Sequence, residues 1–396
     1  MEKVQKFFKK TAILLAITSL FFFSAAFCYE RALPDTFLVS KDQNFCLNDS
    51  LVTSTKVDEK ESEEYAVSLK LFGVIPIKTA SVSVVERPTL TVLGTPFGVK
   101  LLTKGVMVIS TSDVKCNGNS VSPANDCGIK VGDVITSLAG HQVQSNSHIC
   151  SIINDSAGKT LEVEFIRNDK KMKTSLTPVK SDVDGKYMAG IWVRDSSAGI
   201  GTATFYDKTT KTFARLGHGI CDSDTGEIMP LSSGEIVDVN ILGLNKGTVG
   251  NPGEIVGTFA SHVGFGELVK NNQTGVYAKL FCDQKGQDCL LALKQEIKTG
   301  KAYILVTLEN NVTEKYEIEI EKINLANNNP TKNMIIRVTD QKLLSKTGGI
   351  IQGMSGSPII QNDMFVGAVT HVFVNDPTRG YAIFAENMYK TSTDIR

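Results

Sequence analysis

The sequence predicts a mainly β protein with one long apolar helix at its N-terminus, and three observations lead there. Residues 11–29 carry no charge at all. From Tyr65 onward, short runs alternate apolar and polar residues, are rich in β-branched types, and break at Gly or Asn, as strands do. After Ser181 this pattern continues for about two hundred residues with few long helical stretches, which suits a closed or double barrel better than a helical bundle.

The N-terminus comes first. Lys3, Lys6, Lys9 and Lys10 stand against the single acid Glu2, and the uncharged run that follows has Phe21-Phe22-Phe23 at its centre. At ~1.5 Å per residue the run comes close to the ~30 Å hydrocarbon core of a bilayer. A positive flank ahead of it keeps the N-terminus in the cytoplasm and sends the rest across. Residues 1–29 are therefore read as a basic stub and membrane anchor. A cleaved signal peptide with Ser24-Ala25-Ala26 as its small-residue site is the competing reading, although the run is long for a signal core. Cys28 does not mark a lipoprotein, because Phe27 is too bulky for the position before a lipidated Cys. Net charge is zero and no basic patch dominates, which argues against a nucleic-acid partner.

Export changes how the cysteines read. Beyond Cys28 there are seven, an odd number, so one stays free or pairs between chains. Cys116 and Cys127 bracket one loop, and Cys282 and Cys289 bracket another, so these are either loop disulfides or free thiols. There is no pair of C-x-x-C motifs, and His218 with Cys221 offers only two ligands; neither a metal nor a cofactor is expected.

Residues 56–64 form a charged run, read as a solvated linker or stalk within a linker and short β-rich region spanning 30–95. A module follows over residues 96–180. Phe97-Gly98-Val99-Lys100-Leu101 opens it, Gly105-Val106-Met107-Val108 continues it, and Ser122-Pro123-Ala124-Asn125-Asp126-Cys127-Gly128-Ile129-Lys130-Val131-Gly132-Asp133-Val134-Ile135 forms its signature block. This block resembles the bacterial PDZ pattern. Residues 147–156 would then be the groove helix and Leu161-Glu162-Val163-Glu164-Phe165 a closing strand. The resemblance implies a peptide that adds as a strand beside Phe97, Gly98 and Val99, whose amides hold a terminal carboxylate.

The chemistry concentrates in Gly353-Met354-Ser355-Gly356-Ser357-Pro358. A serine between glycines on a tight turn suits a nucleophile, and the amides of Gly353 and Ser355 are placed to converge on an oxyanion. Serine needs a base, and the chain has only five histidines: His141, His148, His218, His262 and His371. His218, flanked by Gly217 and Gly219, suits presentation at a strand end. His262 is a weaker candidate, His371 reads as a strand residue, and His141 and His148 belong to the PDZ-like module.

Four stretches then resemble the stage IV sporulation protein B family: Gly217-His218; Lys246-Gly247-Thr248-Val249-Gly250-Asn251-Pro252-Gly253-Glu254; Thr347-Gly348-Gly349-Ile350-Ile351-Gln352 leading into the serine motif; and His371-Val372-Phe373-Val374-Asn375-Asp376-Pro377-Thr378. That family joins a membrane segment, a PDZ domain and a trypsin-like serine peptidase domain in this order. High-temperature-requirement proteases place the peptidase first. The resemblance implies a double β-barrel over residues 181–396 with His218 as base, Ser355 as nucleophile and Asp340 as the acidic member. By spacing alone Asp222 or Asp224, close to His218, competes with Asp340, while Ser357 aligns with a glycine of the trypsin pattern. The resemblance also implies a sporulation-signalling endopeptidase on the exported side of the forespore membrane. Such an enzyme processes itself and cuts an inhibitory membrane protein in the space between the two forespore membranes, triggering activation of a late sigma factor. The alternative is a non-catalytic PDZ scaffold with a degenerate protease fold.

Overall fold

The computed structural model describes residues 2–47, 49–57, 63–261, 263–309, 311–326 and 329–395. Glu2–Ala32 is one helix, and its stretch Val4–Ala32 is long and apolar enough to cross a membrane, with its most apolar window unburied by the chain. Behind it lies a four-stranded sheet in the order Thr36–Ser40, Ile75–Val85, Glu64–Leu71, Val52–Lys56. Phe37, Leu69 and Val82 fill its core. The charged run at 56–64 is therefore not a stalk between domains. Lys56 ends one strand and Glu64 begins its antiparallel partner, so the run connects a hairpin; its residues 58–62 lie outside the described residues.

The next core gathers Val106, Ile135, Ile149, Ile153, Val163 and Phe165. Its helix, Asn146–Asp155, starts where the Ser145 hydroxyl accepts the His148 amide, and buries Ile149 and Ile153 one turn apart. Strands Val134–Leu138, Leu161–Arg167 and Lys170–Leu176 pack across it. The Gly132-Asp133 turn is held by a charge pair: buried Asp133 takes Arg167 Nε at 2.6 Å and Nη2 at 2.7 Å, and accepts the Lys130 amide.

Two barrels follow. The first closes through Pro96–Thr111, Ile191–Asp207, Thr212–Arg215, Gly275–Leu280, Gly266–Asn272 and Leu231–Val237, back to Pro96–Thr111. The second closes through Gly300–Thr307, Thr313–Ile323, Met334–Val338, Asp376–Phe384, Met364–Phe373 and Pro358–Gln361, back to Gly300–Thr307. Each has its own apolar centre, and a third cluster with Phe205, Tyr277, Phe365 and Met388 joins them. The chain is thus mainly β with two closed barrels; the alternation predicts a closed or double barrel, and the resemblance implies the double form.

The strand Pro96–Thr111 belongs to two units at once. Its first half pairs with barrel strands on both edges, and Val106 and Met107 pair with the module strand Val134–Leu138. No loop separates the two units here, because the alternation runs unbroken across residue 103.

Candidate active site

His218 sits just past Thr212–Arg215 of the first barrel, and Ser355 sits in the turn before Pro358–Gln361 of the second. The two face one pocket of about 540 Å³ between the barrels. Leu216 (φ 65°) holds a left-handed conformation that a branched side chain adopts at a cost of order 1–3 kcal/mol, and this kink turns His218 out of the strand and toward the pocket. The serine turn approaches so closely that a Cβ on Gly356 would lie 2.1 Å from the Thr202 carbonyl oxygen, which leaves glycine as the residue that fits.

The His218 Nδ1 lies 2.8 Å from the Gly219 carbonyl oxygen. A carbonyl only accepts, so Nδ1 carries the proton and Nε2 presents its lone pair. Burial holds the imidazole below its ordinary pKa, with the Gly219 carbonyl working weakly the other way. The His371 ring stands with its centroid 5.0 Å from that of His218 and also lines the pocket. Sequence alternation marked His371 as a strand residue, and it is one, in Met364–Phe373. Its place beside His218 had no signal in the sequence.

The Ser355 hydroxyl donates to the Thr370 carbonyl at 2.7 Å. Among the described residues the amides of Gly353 and Ser355 meet no acceptor, whereas the Met354, Gly356 and Ser357 amides are all engaged. Ser357 is fully buried, so no substrate reaches it, and its hydroxyl has no partner among the described residues.

Asp340 is not beside His218. It caps the helix Gln341–Thr347: Oδ1 accepts the amides of Lys342 (2.9 Å) and Leu343 (3.1 Å), and Oδ2 accepts the Glu317 amide at 3.3 Å. Asp222 and Asp224 are no substitutes. Arg194 takes both, at 2.5 and 2.7 Å, and Asp222 also accepts two amides of its own turn. Among the described residues no carboxylate bonds to His218. His262 lies outside the described residues. No group of three His, Cys, Asp or Glu is placed to hold a metal among the described residues, and all eight cysteines are free thiols.

Phe97, Gly98 and Val99 are also not where the PDZ resemblance puts them. They lie inside a barrel strand with partners on both edges, Gly98 facing Ile200 on one side and Val237 on the other. Their strand has no free edge to receive a peptide. Gly98 is small because the Phe259 ring and Val237 pack on it, at 2.7 Å from a hypothetical Cβ. Phe97 and Val99 instead help wall the pocket that His218 and Ser355 face. A separate groove of about 710 Å³ lies beside the module helix, with Ile149, Cys150 and Ile153 on one side and Tyr187 and Trp192 on the other.

Comparison with known proteins now adds to this geometry. The family model SpoIVB peptidase S55 matches residues 185–389, over half the chain. The chain belongs to the SpoIVB peptidase S55 family. A PDZ domain model matches residues 92–177 ahead of that region. The family member shares 33% identity over 96 residues with the Lactococcus lactis protein LL2128, named as a candidate zinc metalloprotease. The match covers 24% of this chain and 21% of that one, so the chain spans about a fifth of the length of this curated relative. Among solved structures, the PDZ domain of the SdrC-like protein from Listeria monocytogenes is similar at 25% identity, covering 23% of this chain and 87% of that one with a TM-score of 0.19. The Rv3671c protease from M. tuberculosis is similar at 12% identity, covering 50% and 74% with a TM-score of 0.29.

Proposed function

We propose that this family member is a membrane-anchored serine endopeptidase of sporulation signalling, in which Ser355 is the nucleophile and His218 the base. The observation that carries the reading is the meeting of Ser355, a His218 with a bare Nε2, and two unengaged amides in one pocket. On substrate binding the Ser355 hydroxyl leaves the Thr370 carbonyl, gives its proton to His218 Nε2 and attacks the scissile carbonyl. The negative oxygen takes the Gly353 and Ser355 amides. His218 then protonates the leaving amine, and a water activated by His218 releases the acyl group. The Gly219 carbonyl fixes the imidazole tautomer, the orienting task that a carboxylate performs in the trypsin pattern.

The pocket wall is apolar. Val99, Ile200, Leu216, Ile351, Val372 and Val374 line it, with no Asp, Glu, Lys or Arg among the described residues that do. Peptides with an apolar side chain beside the scissile bond fit it best. The N-terminal helix supports an anchor in the membrane with the barrels on the exported side. The family resemblance supports the finer reading: self-processing near the N-terminus, and cleavage of an inhibitory membrane protein between the forespore membranes that triggers activation of a late sigma factor.

The test is reconstitution of the full chain in vesicles with such a membrane protein. Wild type should cut both the partner and itself, and Ser355→Ala neither. Equal cleavage by both forms would overturn the reading, and cleavage by neither would favour a scaffold with a degenerate protease fold.

A further inference from the structure

We propose that Thr202 and Thr204, on the first barrel, are positioning residues that hold the serine turn of the second barrel in its reactive shape. The proposal rests on the reading of Ser355 as the nucleophile.

Both threonines lie on the long strand Ile191–Asp207, two residues apart and hence on one face, while Ala203 between them points into the first barrel's core. Both are buried. The Thr202 hydroxyl donates to the Gly353 carbonyl at 2.7 Å, its amide donates to the Ser355 carbonyl at 3.1 Å, and the Thr204 hydroxyl donates to the Gly356 carbonyl at 2.8 Å. These three bonds cross from one barrel to the other.

The Gln352 carbonyl accepts the Ile255 amide and the Met354 carbonyl accepts the Ser357 amide. Those of Gly353, Ser355 and Gly356 are held by Thr202 and Thr204. Every carbonyl from 352 to 356 thus has a donor, while among the described residues the amides of Gly353 and Ser355 stay open. The Gly353–Met354 peptide plane lies between these two open amides. Gly353 has a φ of 96°, a conformation from which a glycine plane rotates at little steric cost. The Met354 amide, donating to the Ile351 carbonyl at 3.1 Å, holds one end of this plane, and the Thr202 hydroxyl holds its carbonyl end without touching substrate.

Because the two amides matter only once the carbonyl oxygen becomes an anion, loss of the hydroxyl should lower kcat and leave KM nearly unchanged. Removing one oxyanion donor outright costs about 10^2–10^3 in kcat, so a mispositioned pair should cost about 10–100-fold. The experiment compares the full chain with Thr202→Val and Thr202→Ser on a peptide substrate. Thr202→Val should lose about 10–100-fold in kcat with KM within about twofold, and Thr202→Ser should recover to within about threefold of wild type. Thr202→Ala, which removes the hydroxyl without setting a methyl against the Gly353 carbonyl, repeats the test should the Val form not fold, and Thr204→Val should show a smaller loss of the same kind. Thr103→Val removes another buried hydroxyl, one bonded to the Gly105 and Asp195 carbonyls away from the turn, and should leave kcat unchanged. Wild-type kcat in Thr202→Val, or a Thr202→Ser form no better than Val, would overturn the proposal while Ser355→Ala is inactive. An active Ser355→Ala would instead overturn the serine reading on which it rests.

Discussion

Substituting Asp340 separates two roles that the sequence alone does not. As the cap of Gln341–Thr347 its carboxylate satisfies the amides of Lys342 and Leu343 and adds a weaker bond from Glu317. Losing such a cap costs about 0.5–2 kcal/mol. For a domain of 150–250 residues, each kcal/mol moves Tm by roughly 2–4 °C, so Asp340→Ala should melt about 1–8 °C lower. Asp340→Asn and Asp340→Ser keep an acceptor oxygen at the cap and should lose a few tenths of a kcal/mol. None of the three should lower kcat by more than about threefold at a temperature where all are folded. As a triad acid the same residue would behave otherwise: Asp→Asn there costs about 10^4 in kcat with geometry intact. The assay is active-site titration with a serine-directed reagent, to count folded sites, followed by kcat per site alongside a thermal melt. A loss of 10^3 or more in Asp340→Asn and Asp340→Ser, with Tm unchanged, would refute the argument and restore Asp340 as the acidic member.

Further predictions concern the pocket and the barrel interior. Burial lowers the His218 pKa, so its basic form persists to lower pH than a free imidazole; the acid limb of kcat/KM should have its midpoint below pH 6.5, and a midpoint above that would reveal an anionic neighbour. The apolar wall should favour an apolar residue beside the scissile bond by about 10–200-fold per well-filled methylene-scale contact, and Ile200→Asp should erase that preference in a peptide-library cleavage profile. An unchanged profile would place the specificity pocket elsewhere. Arg215 is wholly buried with none of its three nitrogens bonded, sandwiched by Phe97 at 4.2 Å and Phe213 at 4.1 Å, and burial pushes its pKa well down. Two cation–π contacts recover about 2 kcal/mol each when desolvated, less than the cost of burying a guanidinium, so Arg215→Met should melt at or above wild type. A clear drop in Tm would show that the aromatic sandwich outweighs the desolvation.

What was legible in the sequence follows from what is local. Ser355 and His218 stand out because each needs glycine beside it, and glycine at a turn is a local demand. A β fold closed into one barrel or two was legible because alternation is local too. Asp340 comes from the family resemblance and not from spacing, and an Asp followed by Gln341-Lys342-Leu343 and ended by Gly348 in a left-handed conformation is also the sequence of a capped helix. Phe97-Gly98-Val99 reads equally as a binding loop and as a strand, and only the partners Ile200 and Val237, far along the chain, decide it. The remaining parts of the site are long-range or backbone groups. Thr202 meets Gly353 across 151 residues, and Gly219 contributes a carbonyl, which every residue has.

The most direct test of the central claim is covalent labelling of the full chain with a fluorophosphonate, read by mass spectrometry of the digested protein. The account predicts a single adduct on the peptide carrying Ser355, abolished in Ser355→Ala and reduced at least about 10^3-fold in rate in His218→Ala. It also predicts retention of that adduct in Asp340→Asn. An adduct on another serine, or wild-type labelling of Ser355 in His218→Ala, would contradict a serine nucleophile activated by His218.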